Sequence, residues 1–240
     1  MQLMIRHAVE KLILPINYHH VLQSIIFQGL RENKEYGDFL HNRGYSNQSR
    51  SFKMFTFGPI QGKYRIREKQ IIFTGEICWE VRSVDAMLLR LLQESIRQDG
   101  IVYGKQHFTD IEAILQEFEI EEEEICIRML SPICVYATDA ESGKTTYFHP
   151  AEEEFVRRIN ENFQRKYVGY TGVEPDSKIQ MELLQLCEKD KYVTNYKGFY
   201  ITAWKGRYTL RGKRKYLNFL YQTGLGSKNA QGFGMFEVLK

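Results

Sequence analysis

Residues 224–236 read GLGSKNAQGFGMF, and this glycine-rich segment is the most informative stretch of the chain. Four of its thirteen residues are glycines, which suit a backbone that takes positive φ angles or lets a ligand approach its amides. Exposed amides beside a lysine can bind phosphate oxygens. A plain hairpin turn is the alternative, but the basic residues of 207–215 favour phosphate binding. The spacing is not that of a P-loop, in which Gly-Lys precedes Ser or Thr.

The glycine-rich segment closes a series of elements in the second half of the chain. Hydrophobic periodicity predicts strands over residues 125–137, 179–196, 199–210 and 234–239. Helices are predicted from Pro150 through Phe163 and over residues 213–221. The order of these elements is strand, helix, strand, strand, helix, strand.

The first half of the chain has the same order. Strands are predicted over residues 1–9, 52–57, 64–81 and 101–103, and amphipathic helices follow Asn17 and Ser83 or Asp85. Two consecutive βαββαβ units predict an α+β fold of tandem ferredoxin-like modules, residues 1–118 and 119–240. This scaffold alone does not define a function.

The charge of the chain is unevenly distributed. The 240 residues are 43% hydrophobic, enough for a sizeable core, and the net charge is only +3. Residues 117–124 contain six glutamates, whereas residues 189–215 contain nine Lys or Arg and one Asp. The basic block is a candidate nucleic-acid surface, and a solvated sheet edge is the alternative.

The cysteines and the apolar segments predict a cytoplasmic, soluble protein. Cys78, Cys126, Cys134 and Cys187 form no CxxC pair and lie in apolar surroundings, which predicts buried thiols in a reducing compartment. No signal-like segment and no apolar run of roughly 20 residues occurs. No cluster of carboxylates or histidines predicts a metal ion or another cofactor.

Six segments together resemble the CRISPR-associated endoribonucleases that cut precursor repeat RNA, members of the RAMP superfamily. They are the glycine-rich segment and residues 14–18 (LPINY), 39–41 (FLH), 53–57 (KMFTF), 130–133 (LSPI) and 202–204 (TAW). The resemblance implies a RAMP-type tandem ferredoxin-like fold and a metal-independent ribonuclease that binds and cleaves CRISPR repeat RNA. In the reaction that this resemblance implies, the ribose 2′-hydroxyl attacks the adjacent phosphorus and leaves a 2′,3′-cyclic phosphate.

The resemblance implies that His41 is the general acid or base and that Lys53 stabilises the charge of the transition state. A histidine side chain, with an ordinary pKa of about 6.5, suits proton transfer at neutral pH. An exposed histidine near a helix C-terminus is the alternative for His41, and Arg43 or Arg50 could take the role of Lys53. Phe27 departs from the family pattern, since many relatives have a tyrosine there. Lys53 and water could work with His41 in place of that tyrosine, or Tyr36 or Tyr45 could substitute for it. The third outcome is slow cleavage by a protein that chiefly binds RNA.

The charge pattern and the resemblance predict a set of RNA-binding residues. The set comprises Arg43, Arg50, Arg207, Arg211, Lys213, Arg214, Lys215, Gly224, Gly226, Ser227, Lys228, Asn229, Gly232, Phe233 and Gly234. Phe233 could stack on a base, although a core position is the stronger expectation. His19 and His20 could face RNA or could serve as surface residues at the start of a helix.

Repeat RNA, as precursor and as product, is the expected partner. The principal alternative is a non-cleaving subunit that holds repeat RNA in an interference complex, and a general RNA-recognition module is a third hypothesis. The sequence leaves open whether the chain dimerises or joins other subunits.

Overall fold

The structure, a computed structural model, describes residues 1–48, 50–196 and 198–239. Lys197 of the predicted basic block lies outside the described residues. Two antiparallel sheets, one in each half of the chain, form the framework. Each half also carries short two-stranded hairpins outside its main sheet.

The first half contains nine described strands and three α-helices. The strands are β1 (Gln2–Pro15), β2 (Tyr45–Asn47), β3 (Arg50–Phe52), β4 (Phe55–Phe57), β5 (Gln61–Arg67), β6 (Gln70–Ser83), β7 (Ile101–Tyr103), β8 (Gln106–Phe108) and β9 (Glu112–Gln116). The helices are α1 (His19–Gln28), α2 (Lys34–Asp38) and α3 (Ala86–Asp99), with a π-helix at Phe39–Arg43. The main sheet has the order β4-β6-β1-β9, and β5 also pairs with β6.

The second half repeats this topology. Its strands are β10 (Glu124–Met129), β11 (Tyr136–Thr138), β12 (Thr145–Tyr147), β13 (Gln180–Gln185), β14 (Lys191–Tyr196), β15 (Phe199–Trp204), β16 (Arg207–Arg211) and β17 (Phe236–Leu239). Its α-helices are α4 (Glu153–Thr171) and α5 (Arg214–Thr223), with 3-10 turns at Glu188–Asp190 and Asn229–Gln231. The order β13-β16-β10-β17 matches that of the first sheet, so the predicted tandem ferredoxin-like fold is confirmed.

Two hydrophobic clusters lie beneath the two sheets. The first packs α1 and α3 on the first sheet, and the second packs α4 and α5 on the second. Arg82 of β6 joins them, since its guanidinium donates to the carbonyl of Phe236 at 2.5 Å and stacks 3.7 Å from the Tyr221 ring. Glu80 pairs with the same buried guanidinium, which compensates its charge.

Several predicted elements differ from the structure. The strand expected over 64–81 is two strands, β5 and β6, because Glu68 and Lys69 both take positive φ and form a turn between them. The strand expected at 101–103 pairs only with β8 among the described strands, and β9 closes the first sheet by pairing with β1. The strands expected over 52–57 and 125–137 are each divided into two.

The helix expected from Pro150 begins at Glu153, because the amide of Ala151 donates to His149 Nδ1 and residues 150–152 form a turn. The single strand expected over 179–196 is two strands. The Asp190 carboxylate accepts from the amide of Cys187 and stabilises a 3-10 turn between them.

The strand expected over 199–210 is also divided, because Gly206 takes a positive φ of 110° between β15 and β16. As a result, β14 and β15 pair with each other as a hairpin outside the main sheet. Of the four cysteines predicted to be buried, only Cys134 is buried, and Cys78 is half-buried. Cys126 lies on the outward face of β10 and Cys187 precedes the 3-10 turn, so both are exposed.

Candidate nucleic-acid interface and active site

A cleft of about 840 Å³ lies between the two halves of the chain. Side chains from α1, the π-helix, β3 and β4 line one wall, and side chains from α4, β11 and the glycine-rich segment line the other. Four cationic side chains line it, namely Arg50, Lys53, Lys166 and Lys228. Two histidines, His20 and His41, join them, and no carboxylate of the described residues does. Such a surface attracts a polyanion.

His41 lies exposed at the cleft on the π-helix. Leu40 beside it is fully buried and anchors this turn, and Gly44 ends it with a φ of 65°. The His41 ring packs edge-on against Phe27, with 5.2 Å between the ring centroids. Its Nδ1 lies 3.0 Å from Asn42 Oδ1. An Nδ1–H that donates to this amide oxygen would leave Nε2 as the atom that can exchange a proton with a ligand.

Lys53 is held next to His41. Its Nζ donates to the carbonyl oxygen of His41 at 2.9 Å, and Ser51 Oγ donates to the carbonyl of Arg43. The π-helix is therefore bound along its length to the segment 51–53. Burial lowers the pKa of the Lys53 ammonium, which has lost part of its hydration. The structure thus brings together the two residues that the sequence predicted as catalytic.

Phe27 faces the cleft, but the two tyrosines offered as one alternative source of a phenol do not line it. Tyr36 and Tyr45 both donate to Asp85 Oδ2, at 2.5 and 2.6 Å. Burial and the contact with Asp85 raise the pKa of both phenols. Asp85 also caps α3 through Met87 N, so both phenols are committed to a structural contact. Among the residues that line the cleft, Tyr136 is the single tyrosine in the part of the chain that the structure describes.

The glycine-rich segment is packed from within. Gly224, Gly226, Gly232 and Gly234 are all buried, with φ between 66° and 85°. A Cβ at Gly234 would lie 2.0 Å from the carbonyl oxygen of Leu225, and one at Gly226 would lie 2.7 Å from that of Cys134. The amides of Ser227, Gly232 and Gly234 donate to protein carbonyls. The cleft is therefore lined by the side chains of residues 227–231.

Phe233 points away from the cleft. Its exposed fraction is 2%, and it packs against His19 and Tyr192 at centroid distances of 6.1 and 6.3 Å. The core position that the sequence favoured is therefore the observed one. Stacking on a base would require this cluster to open.

Lys166 and Asn162 of α4 are cleft residues that the sequence analysis missed. Lys166 Nζ donates to the carbonyl of Gly224 at 2.5 Å and to Asn229 Oδ1 at 3.2 Å. Asn162 Oδ1 is buried without a hydrogen-bond partner among the described residues. Both side chains lie on the buried face of α4 with Phe155 and Ile159. A polar residue at an apolar position of the helical pattern was therefore the sequence signal that could have identified them.

Lys228 and His20 complete the cleft. Lys228 takes a left-handed φ of 62°, and its Nζ lies 5.1 Å from the centroid of the Tyr136 ring. This cation–π contact holds the ammonium at the cleft wall. His20 Nδ1 lies 2.8 Å from the carbonyl oxygen of Asn17, which orients the imidazole at the start of α1. Of the two alternatives for this histidine, the structure thus favours a position that faces the cleft.

The basic block of the second half lies apart from this cleft. Lys213 donates to Asp176 at 2.7 Å, and Lys215 lies 3.9 Å from the same carboxylate. Arg211 pairs with Glu124 at 2.8 Å. Lys213 and Lys215 lie at the N-terminus of α5, whereas the glycine-rich segment follows its C-terminus, about 15 Å away along the helix.

Of the other predicted RNA-binding cations, most lie outside the cleft. Arg207 and Arg214 are exposed and do not line the cleft. Arg43 lies on the π-helix with its guanidinium 5.8 Å from the Phe39 ring. Arg50 alone of the predicted arginines lines the cleft in the described part of the chain.

The described residues contain no group of three or more His, Cys, Asp or Glu side chains with the geometry of a metal centre. None of their helices combines the length and apolar character required to cross a membrane.

The fold and the cleft define a protein of two ferredoxin-like modules with a cationic groove between them. Residues 115–238 match the family described as CRISPR associated protein Cas6, C-terminal. The chain belongs to the Cas6 family, which confirms the resemblance inferred from its sequence motifs.

Two characterised relatives carry the name CRISPR-associated endoribonuclease. The protein Cas6 1 of Methanocaldococcus jannaschii is 25% identical over 93% of this chain and 86% of its own length. The Cas6 protein of Pyrococcus furiosus is 36% identical over 45% of this chain and 40% of its own length.

Solved structures agree with the fold. A structure described as an RAMP protein binding different RNA substrates has a TM-score of 0.79, with 21% identity over the full length of both chains. A structure of a Cas6-related gene product from Pyrococcus furiosus also has a TM-score of 0.79, with 21% identity over 100% of this chain and 98% of its own.

Proposed function

We propose that this chain is a metal-independent endoribonuclease that binds CRISPR repeat RNA and cleaves the precursor transcript within its repeats. The observation that carries the proposal is the placement of His41 and Lys53, linked by a 2.9 Å hydrogen bond, in a cleft lined by cations and free of carboxylates among the described residues. Family membership supports the same activity, since both relatives described above are named endoribonucleases.

The reaction proposed for this cleft uses the 2′-hydroxyl of the RNA as nucleophile. A base removes the 2′-proton, the 2′-oxygen attacks the adjacent phosphorus, and the bond from phosphorus to the 5′-oxygen breaks. An acid then protonates the leaving 5′-oxygen, so the products are a 2′,3′-cyclic phosphate and a 5′-hydroxyl. His41 supplies one of the two proton transfers, and solvent supplies the other because Phe27 has no exchangeable proton.

Lys53 contributes through its charge. The pentacoordinate phosphorane carries more negative charge on its oxygens than the ground state, so an ammonium at this position favours the transition state. Its hydrogen bond to the His41 carbonyl holds the ammonium next to the imidazole before the substrate arrives. Because the ammonium is already in place, the reaction does not use free energy to position it, and the activation free energy of cleavage is lower.

Cleavage of repeat RNA in the presence of EDTA tests this proposal. We expect the wild-type chain to release a product with a 2′,3′-cyclic phosphate, and we expect His41→Ala to lower the single-turnover rate by about 10²–10⁴-fold. His107→Ala is the matched control, because His107 is exposed in the β7–β8 hairpin and lines a different surface depression. Unchanged cleavage by His41→Ala would contradict the proposal.

A non-cleaving RNA-binding subunit is the second candidate function. Phe27 favours it, because the phenyl ring that contacts His41 has no proton to transfer and the nearby Tyr36 and Tyr45 are bound to Asp85. Tight binding of the repeat without any product, in the assay with EDTA and in one with added Mg²⁺, would identify this function.

We also propose a module boundary near residue 118 and a cytoplasmic location. The first main sheet ends at Gln116 and the second begins at Glu124. Asn218 holds the intervening segment, since it accepts from the amide of Ile120 and donates to its carbonyl.

The four cysteines carry free thiols, which agrees with a reducing compartment.

A further inference from the structure

Lys166 is a buried cation beneath the glycine-rich segment. Its exposed fraction is 2%, and its Nζ donates to the carbonyl of Gly224 and to Asn229 Oδ1. The same Asn229 side chain donates through Nδ2 to the carbonyls of Leu225 and Phe233. One ammonium therefore reaches both ends of the segment, directly at Gly224 and through Asn229 at Phe233.

The ammonium has no carboxylate partner in the part of the chain that the structure describes. Both acceptors of Lys166 are neutral oxygens. A buried charge without a counter-charge is costly, and proteins commonly pair such groups. The cleft that Lys166 lines contains further cations and no carboxylate of the described residues, so a counter-charge for Lys166 at the cleft would have to come from a bound anion.

We propose that Lys166 is a positioning residue that couples the glycine-rich segment to bound RNA. As an ammonium it holds Gly224 and Asn229 in place, and a phosphate in the cleft supplies its counter-charge. The segment then presents Lys228 and Ser227 to the strand in one fixed arrangement. This inference rests on the proposed function, since it requires RNA in this cleft.

Proton linkage follows from this arrangement. Burial lowers the pKa of Lys166 to about 7 in the free protein. Bound phosphates would raise the pKa of Lys166 again, so above pH 7 the binding of RNA must be accompanied by the uptake of a proton. The affinity for RNA therefore falls by at most tenfold per pH unit. The other charged or titratable groups that line the cleft are Lys228 and Tyr136 on the wall of Lys166, and Arg50, Lys53, His41 and His20 on the opposite wall.

The affinity for repeat RNA between pH 7.0 and 8.5, at constant ionic strength, tests the coupling. The measurement uses the His41→Ala background, which prevents cleavage by the proposed mechanism and removes one histidine. We expect the parent to lose about tenfold in affinity over this range. Lys166→Met should bind at least about fivefold more weakly at pH 7.0 and show a flat profile. Lys166→Arg should retain affinity at pH 8.5, because a guanidinium stays charged.

Lys53→Met is the matched control, because the pKa of Lys53 is also lowered by burial. This variant should keep the slope that belongs to Lys166. The inference would be overturned if Lys166→Met had the same affinity for RNA, and the same dependence of that affinity on pH, as the parent. It would also be overturned if Lys53→Met lost this dependence on pH.

Hydrogen exchange of the free protein separates the inference from the proposed function. The amides of Ser227, Gly232 and Gly234 should exchange about tenfold faster in Lys166→Met than in the wild type at the same pH, while those of α1 stay unchanged. Unchanged exchange in the glycine-rich segment would overturn the positioning role even if RNA binds. Faster exchange in a protein that binds no repeat RNA would refute the coupling and the proposed function, and would leave only the anchoring contact.

Discussion

At the residue scale, the cleft depends on short contacts between neighbours. Lys53 is fixed by the carbonyl of His41, and the His41 ring is fixed by Phe27. Because Phe27 has no exchangeable proton, the two halves of the proposed reaction are unequally supported. One proton transfer has a side chain in place, and the other relies on solvent.

Restoring a phenol at position 27 should therefore accelerate the reaction. A hydroxyl on this ring would extend from a side chain already in contact with His41, and the substitution adds a single oxygen atom at a half-buried site. We expect Phe27→Tyr to raise the single-turnover rate of repeat cleavage at least about tenfold, since a positioned acid or base contributes roughly 10²–10⁴-fold. An unchanged rate in a variant with unchanged thermal stability would show that the second proton transfer is not limiting.

The stability of the protein should report the burial of Lys166. The pKa of Lys166 is lowered from its ordinary 10.5 to about 7 in the folded chain. Between these values the unfolded chain binds the proton and the folded chain does not, so the free energy of unfolding rises with pH. Relative to Lys166→Met, the wild type should gain about 2 kcal/mol between pH 7 and pH 9. Urea unfolding of both proteins at pH 7, 8 and 9 measures this, and a constant difference would contradict it.

At the element scale, the glycine-rich segment works as a packed connector between α5 and β17. Its glycines are needed because their φ angles are positive and their Cα atoms lie against backbone and side-chain atoms. The proposed RNA-binding surface at this point consists of the side chains that the connector displays to the cleft. A change in the connector should therefore alter stability and RNA binding together.

Gly234→Ala tests this packing against a matched glycine. Gly234 and Gly172 have nearly equal φ angles of 79° and 73°, but an added Cβ meets the Leu225 carbonyl at Gly234 and nothing within 4 Å at Gly172. We expect Gly172→Ala to cost about 1 kcal/mol of unfolding free energy from backbone strain alone. Gly234→Ala should cost at least about 2 kcal/mol more, since backbone must move. Equal losses in urea unfolding would show that the connector is loosely packed.

At the scale of the whole molecule, two similar modules face each other across one cationic cleft. Arg82 holds the second module to the first through the Phe236 carbonyl and the Tyr221 ring. Cations that lie far apart in the sequence, such as Arg50 and Lys228, thereby face the same space. An extended polyanion such as single-stranded RNA fits this arrangement.

The salt dependence of binding should reveal which cations contact the RNA. Each phosphate contact on a single strand contributes about 0.7 to the slope of log affinity against log salt. We expect Lys228→Met to reduce the slope by about that amount. Lys213→Met should leave it unchanged, because Lys213 is paired with Asp176 outside the cleft. A reduced slope in Lys213→Met would show instead that the RNA extends along the N-terminus of α5, as the charge pattern of the sequence predicts.

The sequence alone was sufficient to predict the class of fold. Hydrophobic periodicity and turn residues are local properties, and they predicted two βαββαβ units. They did not identify the strand that closes the first sheet, since residues 101–103 pair with β8 and β9 takes that place. The motifs around His41 and Lys53 were also local, because the two residues are only twelve positions apart in the sequence. One hydrogen bond joins them in the structure. Predictions failed where a local contact interrupted a pattern, as at the 3-10 turn Glu188–Asp190.

Tertiary structure decided which charges share a surface. Lys166 could not be distinguished from an ordinary helical lysine until α4 was packed beneath the glycine-rich segment, which removed its hydration and brought Gly224 and Asn229 to it. The block at 213–215 has a stronger charge in the sequence, yet Lys213 and Lys215 lie against Asp176 at the far end of α5. Periodicity describes each element by itself, whereas a cleft exists only after two modules have packed together, and no local pattern encodes which side chains then face each other.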